Sequence, residues 1–262
     1  MLCFAANSLL SRAALRGGSI DAASFTAIRL ATGALVLVLL AASRRERVRS
    51  AGSWASAAAL ATYAVAFTFA YRELTAGTGA LLLFGAVQLT MIAGALIRGE
   101  RPSPIQWVGW LIAIGGLGVI TAPTLDPPPL TGALLMLAAG IAWGIYSLRG
   151  RGVARPLATT ADNFLRTVPV ALLRIAFARH LTVEGAVLAA ASGGLASGVG
   201  YSVWYAAVPA LGATRAAAVQ LSVPVLTALA AMLLFSEALT PTLAGGGSAI
   251  VVGLALALTV RR

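Results

Sequence analysis

The second half of this 262-residue chain is a degenerate copy of the first. Glu100, Ser103, Pro104, Gly109 and Gly116 recur at one constant offset as Glu237, Thr240, Pro241, Gly246 and Gly253. Just upstream, Gln88, Leu89 and Thr90 correspond to Gln220, Leu221 and Ser222. Each copy holds an odd number of long apolar runs. Repeats that each cross a bilayer an odd number of times must lie upside down relative to one another, an arrangement found in many secondary transporters.

Those runs cannot be the core of a soluble domain. Mean hydropathy is +0.90 and 10% of residues are charged, where a soluble chain carries about 25%. A hydrocarbon core about 30 Å thick needs about 20 apolar residues to cross. Ten runs approach that length, approximately at 2–15, 22–43, 53–72, 77–97, 104–122, 131–148, 160–178, 183–208, 213–235 and 240–260. The predicted fold is an all-α integral membrane protein with ten transmembrane helices in two inverted five-helix repeats. The N-terminal repeat spans 1–124, an outer-side linker 125–130, and the C-terminal repeat 131–262. The linker lies in a proline-rich connection, Pro123 to Pro129, that blocks helix continuation. The first run starts without a positive leader or a small-residue cleavage site and does not read as a cleavable signal.

The net charge is +11, carried by 19 arginines and no lysine. The arginines lie between apolar runs rather than along a basic face, which argues against nucleic acid as a partner. With the N-terminus inside, twelve arginines fall on the cytoplasmic side (residues 44, 45, 47, 49, 98, 101, 149, 151, 155, 215, 261 and 262) and five outside (12, 16, 72, 174 and 179). That asymmetry predicts both termini in the cytoplasm. Cys3 is alone, so no intrachain disulfide forms.

Ser103-Pro104 and Thr240-Pro241 fit a helix N-cap followed by proline at the first helical position. Gly109, Gly116, Gly246 and Gly253 suit close helix packing in lipid, within the chain or between two copies in a homodimer.

Polar and aromatic groups inside apolar runs mark either packing or a path through the molecule. Tyr63, Phe67 and Tyr71 recur every four residues on one helical face, and Tyr201, Trp204 and Tyr205 share another. The stripes are repeat partners: Phe67 matches Tyr201 and Tyr71 matches Tyr205. Gln88 and Gln220 fall near mid-membrane, where an amide needs a partner or a wet cavity. Asn7 and Tyr146 are again equivalents, beside Phe4 and Trp143. Pro224, four residues after Gln220, removes the donor that its carbonyl would use, and the glycines at 193, 194, 198 and 200 allow a bend. Arg29 and Arg166 sit about two turns into their runs, where each can snorkel to an interface. Asp162, one turn before Arg166, is its expected ion-pair partner.

No Asp or Glu lies deep inside a run, and the only histidine, His180, falls in a connection. That pattern speaks against a proton relay through a buried carboxylate. No phosphate-binding loop, metal-ligand cluster or nucleophile with a nearby base appears, so neither an enzyme nor a cofactor is expected.

The ten runs in two halves, the Glu-x-x-Ser/Thr-Pro segments, Phe4-x-x-Asn7 and Ala142-Trp143-x-x-Tyr146 together resemble the drug/metabolite transporter superfamily, specifically its EamA-type exporters. The resemblance implies a bacterial inner-membrane exporter of amino acids or other metabolites with a cavity between the halves. Within it, the chain is most similar to the aromatic amino acid exporter branch.

The resulting expectation is a secondary transporter exporting aromatic or other neutral amino acids by alternating access. Tyr63, Phe67, Tyr71, Trp143, Tyr146, Tyr201, Trp204 and Tyr205 would stack on the substrate side chain. Asn7, Gln88 and Gln220 would bond its polar groups. Export of drugs or sugar phosphates, and a non-transporting subunit of a lipid-modifying system, are the alternatives.

Overall fold

A computed structural model describes residues 1–99, 101–121, 129–220, 222–235 and 241–259. Glu100, Glu237, Thr240 and residues 122–128 of the proline-rich connection lie outside these. The described residues are helical, apart from connections and one isolated antiparallel bridge between Ile20 and Leu181. In chain order the helices are α1 Leu2–Arg16, α2 Ala22–Ser43, α3 Trp54–Ala70, α4 Ala76–Ile97, α5 Pro104–Thr121, α6 Leu130–Arg149 and α7 Pro156–Ile175. Then follow α8 Val183–Ala191, a π-helical stretch Ser192–Val199, α9 Gly200–Gln220, α10 Ser222–Phe235 and α11 Pro241–Thr259. Among the described residues, four helical segments are long and apolar enough to cross a membrane: Ala22–Ser43, Ala76–Ile97, Leu130–Arg149 and Val183–Leu211.

Helix starts follow side chains that satisfy free N–H groups. Ser53, Thr75 and Thr182 accept from Ser56, Thr78 and Gly185. Ser103 forms a reciprocal pair with Gln106, each backbone N–H donating to the other's side chain at 3.3 and 2.9 Å, ahead of Pro104 at the first helical position.

The sequence places a boundary near residues 208–213, yet helical backbone runs on from Gly200 to Gln220. Gly200 and Val219 would stand about 28 Å apart in a straight helix, but they line one cavity of about 280 Å³. The segment, which contains Pro209, therefore folds back on itself, and the two runs remain neighbours without a long connection.

The glycine face packs inside the chain. A Cβ at Gly109 would lie 2.6 Å from the Gly253 carbonyl oxygen, and one at Gly116 2.6 Å from that of Gly246. Helices α5 and α11 therefore run antiparallel with backbones in contact, and each glycine meets the repeat equivalent of its neighbour. Leu81, Ala113 and Ile250, with Ile92, Trp110 and Ala257, attach this pair to α4. The main core draws on α1, α2, α3, α4, α6, α7, α9 and α10.

Both ends of the bundle are laced. At one, Asp21 accepts from the N–H groups of Arg179 and His180, and Thr182 N–H donates to the Ser19 carbonyl. At the other, Gly52 and Ser53 N–H donate to Asp162 and Asn163, and Glu46 accepts from Ala158 N–H. Arg166 pairs with Asp162 at 3.1 Å, as expected from their spacing.

Candidate functional site

Helices α3, α6 and α9 each present an aromatic stripe to the centre, and the stripes meet as one file of rings. Phe67 contacts Tyr71 at 4.7 Å between centroids and Tyr63 at 5.2 Å. Tyr63 contacts Trp143 at 5.1 Å, Trp143 contacts Tyr146 at 5.5 Å, and Tyr146 contacts Tyr205 at 4.7 Å. Tyr201 joins at Trp143, 4.5 Å away, while Phe4 of α1 stands edge-on to Trp143, Tyr201 and Trp204. Spacings of three and four residues make this possible, since they place side chains about one turn apart on a single face. Every one of these rings is buried.

Polar groups are threaded through the rings. Asn7 Nδ2 donates to Tyr63 Oη at 3.1 Å, and its Oδ1 accepts from Ser192 at 2.6 Å. Trp143 Nε1–H donates to Gln220 Oε1 at 2.7 Å, and Gln220 Nε2 lies 3.1 Å from Met91 Sδ. Trp204 Nε1–H donates to Ser147, and Tyr205 to the Tyr146 carbonyl. Of the residues singled out in the sequence, Gln88 alone stands apart: it is buried in α4, its Nε2 has no partner, and no hydrogen bond ties it to the others.

Arg29 does not snorkel. It is 1% exposed and lies at the heart of the group. Its Nη2 donates to Tyr201 Oη at 2.8 Å and Tyr63 Oη at 3.1 Å, and its Nε to Ser197 Oγ at 3.2 Å. The guanidinium also lies 4.8 Å from the Phe67 ring centre and 5.2 Å from that of Tyr63. The reason is that α2 packs against the π-helical stretch, which brings Ser197 within reach and leaves the guanidinium no route to an interface. Gly193 permits that approach, since a Cβ there would meet the Arg29 carbonyl and Thr32. A π-helical segment of this kind often marks a functional site. Arg166, its sequence equivalent, is 20% exposed, pairs with Asp162 and stacks 5.0 Å from the Trp54 ring.

Arg29, Ser192, Ser197 and Met91 are thus members of the cluster that the stripes and amides do not reveal. The legible signal for Arg29 was a charge two turns inside an apolar run. A cavity of about 280 Å³ adjoins the cluster, lined by Phe4, Gly200, Trp204 and Val219. Among the described residues no group of three His, Cys, Asp or Glu side chains is placed to hold a metal.

Known proteins share this sequence and shape. The profile of the EamA-like transporter family matches residues 1–122 and 130–259. An uncharacterized protein of Pseudomonas aeruginosa is 54% identical, over 100% of this chain and 92% of its own. The threonine/homoserine exporter RhtA of Escherichia coli is 29% identical, over 97% of this chain and 91% of its own. A probable terminal-alkyne amino-acid exporter of Streptantibioticus cattleyicolor is 27% identical, over 87% and 81%. One crystal structure, 22% identical, shares the fold with a TM-score of 0.79 over 99% of this chain and 98% of that one. The chain belongs to the EamA-like transporter family and is a membrane transporter, not an enzyme.

Proposed function

We propose that this protein exports neutral amino acids across the bacterial inner membrane by alternating access. The observation that carries the reading is the buried file of aromatic rings interleaved with Asn7, Gln220 and Tyr hydroxyls. It offers an apolar and stacking surface for a side chain beside hydrogen-bonding groups for a polar backbone. Two relatives named as exporters of amino acids support the same substrate class.

The proposed architecture is ten membrane helices in two inverted repeats of five, 1–124 and 131–262, joined on the outer side, with both termini cytoplasmic. What supports it is the reciprocal pairing of Gly109 with Gly253 and Gly116 with Gly246, since equivalents that meet crosswise imply a two-fold axis between the halves. The family profile matches in two stretches that coincide with the halves. The lacing at each end joins one half to the other. Releasing one set of ties while the other holds would open the cluster to one side at a time. Lipid surrounds the outer helix faces, and the glycine face, used within the chain, is not the one through which two copies would meet.

Of the five acidic residues within the described parts, only Asp162 is buried, and it is held by Arg166 and the Gly52 N–H at one end of the bundle. The reading is therefore transport without a carboxylate proton relay. The test is efflux of labelled threonine, homoserine, methionine, phenylalanine and tryptophan from proteoliposomes containing only this protein. Efflux of at least one above protein-free vesicles is expected. No efflux of any would overturn the amino acid reading and favour another metabolite.

A further inference from the structure

We propose that Arg29 is the carboxylate-binding residue of the transport site. The proposal rests on the amino acid reading above and goes further by assigning the substrate's anionic group to one side chain.

The local hydrogen bonding is rich in donors and short of acceptors. Tyr63 Oη lies within bonding distance of three donors at once: Arg29 Nη2, Asn7 Nδ2 and the Tyr201 hydroxyl at 3.2 Å. Arg29 Nη1 has no partner although it is buried. A guanidinium brings five N–H donors and no acceptor, and here it meets only hydroxyls and aromatic faces. Its charge is permanent and no carboxylate among the described residues cancels it. Asp21 caps α2, Glu46 accepts from Ala158, Asp162 is taken by Arg166, and Glu184 lies near Ser19. Glu73 is exposed beside Gly132. A carboxylate supplies what is missing: one negative charge and about four lone-pair sites in a plane matching the guanidinium fork.

Charge also bears on the ligand. Arg29 is bonded into the cluster, whereas its repeat equivalent Arg166 is already paired with Asp162. The Arg29 cation suits a monoanion. A phosphate ester carries a charge of roughly −1.5 to −2 at neutral pH and would enter with part of its charge unmatched. The zwitterion of a neutral amino acid brings one carboxylate, with its side chain free to lie against Phe67, Trp143 and Tyr201.

The experiment compares acids with their amides on the purified full chain. Threonine and phenylalanine, set against threoninamide and phenylalaninamide, are tested for thermal stabilisation in detergent and as competitors of flux in proteoliposomes. Wild type is expected to be stabilised by the amino acid and not the amide, with the amide competing at least tenfold more weakly. Arg29→Gln should lose that discrimination and Arg29→Lys retain part of it; inorganic phosphate should stabilise neither. Should Arg29→Gln fail to fold, the wild-type comparison of acid and amide decides alone. Amides that match the acids in wild type, or unchanged discrimination in Arg29→Gln, would overturn the carboxylate site while leaving an observed amino acid flux standing. Stabilisation by a carboxylate that Arg29→Gln abolishes, without amino acid flux, would support the site and overturn the exporter.

Discussion

Gln220 separates packing from transport better than any ring in the cluster. Its Oε1 takes the Trp143 indole N–H at 2.7 Å in a fully buried setting. Gln220→Ala leaves that N–H unsatisfied, which costs about 1–3 kcal/mol and lowers the unfolding temperature. Gln88 has an unpartnered Nε2, so Gln88→Ala should barely change stability. Both are expected to slow efflux, read as initial rates in proteoliposomes normalised to incorporated protein. Wild-type rates in both variants would take the amides out of the mechanism. The stripes were legible in the sequence because four-residue spacing alone puts Tyr63, Phe67 and Tyr71 on one face. The place of Arg29 was not. Its hydroxyl partners Tyr63 and Tyr201 lie 34 and 172 positions away, and hydropathy weighs a charge only against lipid.

Among the helices, the α5–α11 contact makes the sharpest contrast between adjacent residues. A Cβ at Gly116 would press on the Gly246 oxygen at 2.6 Å and Ala249 Cβ at 2.8 Å, whereas one at Gly115 meets nothing within 4 Å. Gly116→Ala is expected to destabilise by about 1–3 kcal/mol, and Gly115→Ala to stabilise slightly through the better helix propensity of alanine, about 1 kcal/mol at most. Thermal unfolding in detergent reads both, and equal shifts would contradict the contact. The N-cap of α2 adds a pH dependence. Burial pushes the Asp21 carboxyl up, but the Ser24 hydroxyl and the N–H groups of His180, Ser24 and Arg179 hold it well below the usual carboxylate range. A depressed value stabilises the fold in full above about pH 4, the ordinary carboxylate value, and that contribution fades as pH falls toward the folded value. Asp21→Asn keeps a cap but loses the charge. Its unfolding temperature should fall below wild type at pH 7, with the gap narrowing below about pH 4; a pH-independent gap would assign the effect to packing. The Ser103 cap was readable because it acts within a turn of its own helix, and the glycine pattern because it repeats along one helix face. The reversal between the runs at 183–208 and 213–235 follows from the ten-span reading, but the helical backbone through residues 208–213 was not readable, since hydropathy marks where a span ends and not what backbone joins it to the next.

At the level of the whole molecule, the proposed cycle makes a statement about charge. Arg29 is fixed in the protein, Asp162 is tied to Arg166, and a neutral amino acid crosses as a zwitterion with no net charge. Nothing in the cluster then carries a proton or other ion from one side to the other. Transport of this kind is electroneutral, so the distribution reached at steady state follows the amino acid gradient alone. One elementary charge moved across 100 mV is worth about 2.3 kcal/mol, which corresponds to about a fiftyfold change in accumulation. Proteoliposomes held at zero and at about 100 mV by a potassium diffusion potential should therefore reach the same internal to external ratio of labelled substrate, and an imposed pH difference should leave it unchanged. Accumulation rising by an order of magnitude or more with either force would show a co-moving ion. Attention would then turn to Asp162, the buried carboxylate, whose ties to Arg166 and Gly52 at one end of the bundle would have to break in each cycle.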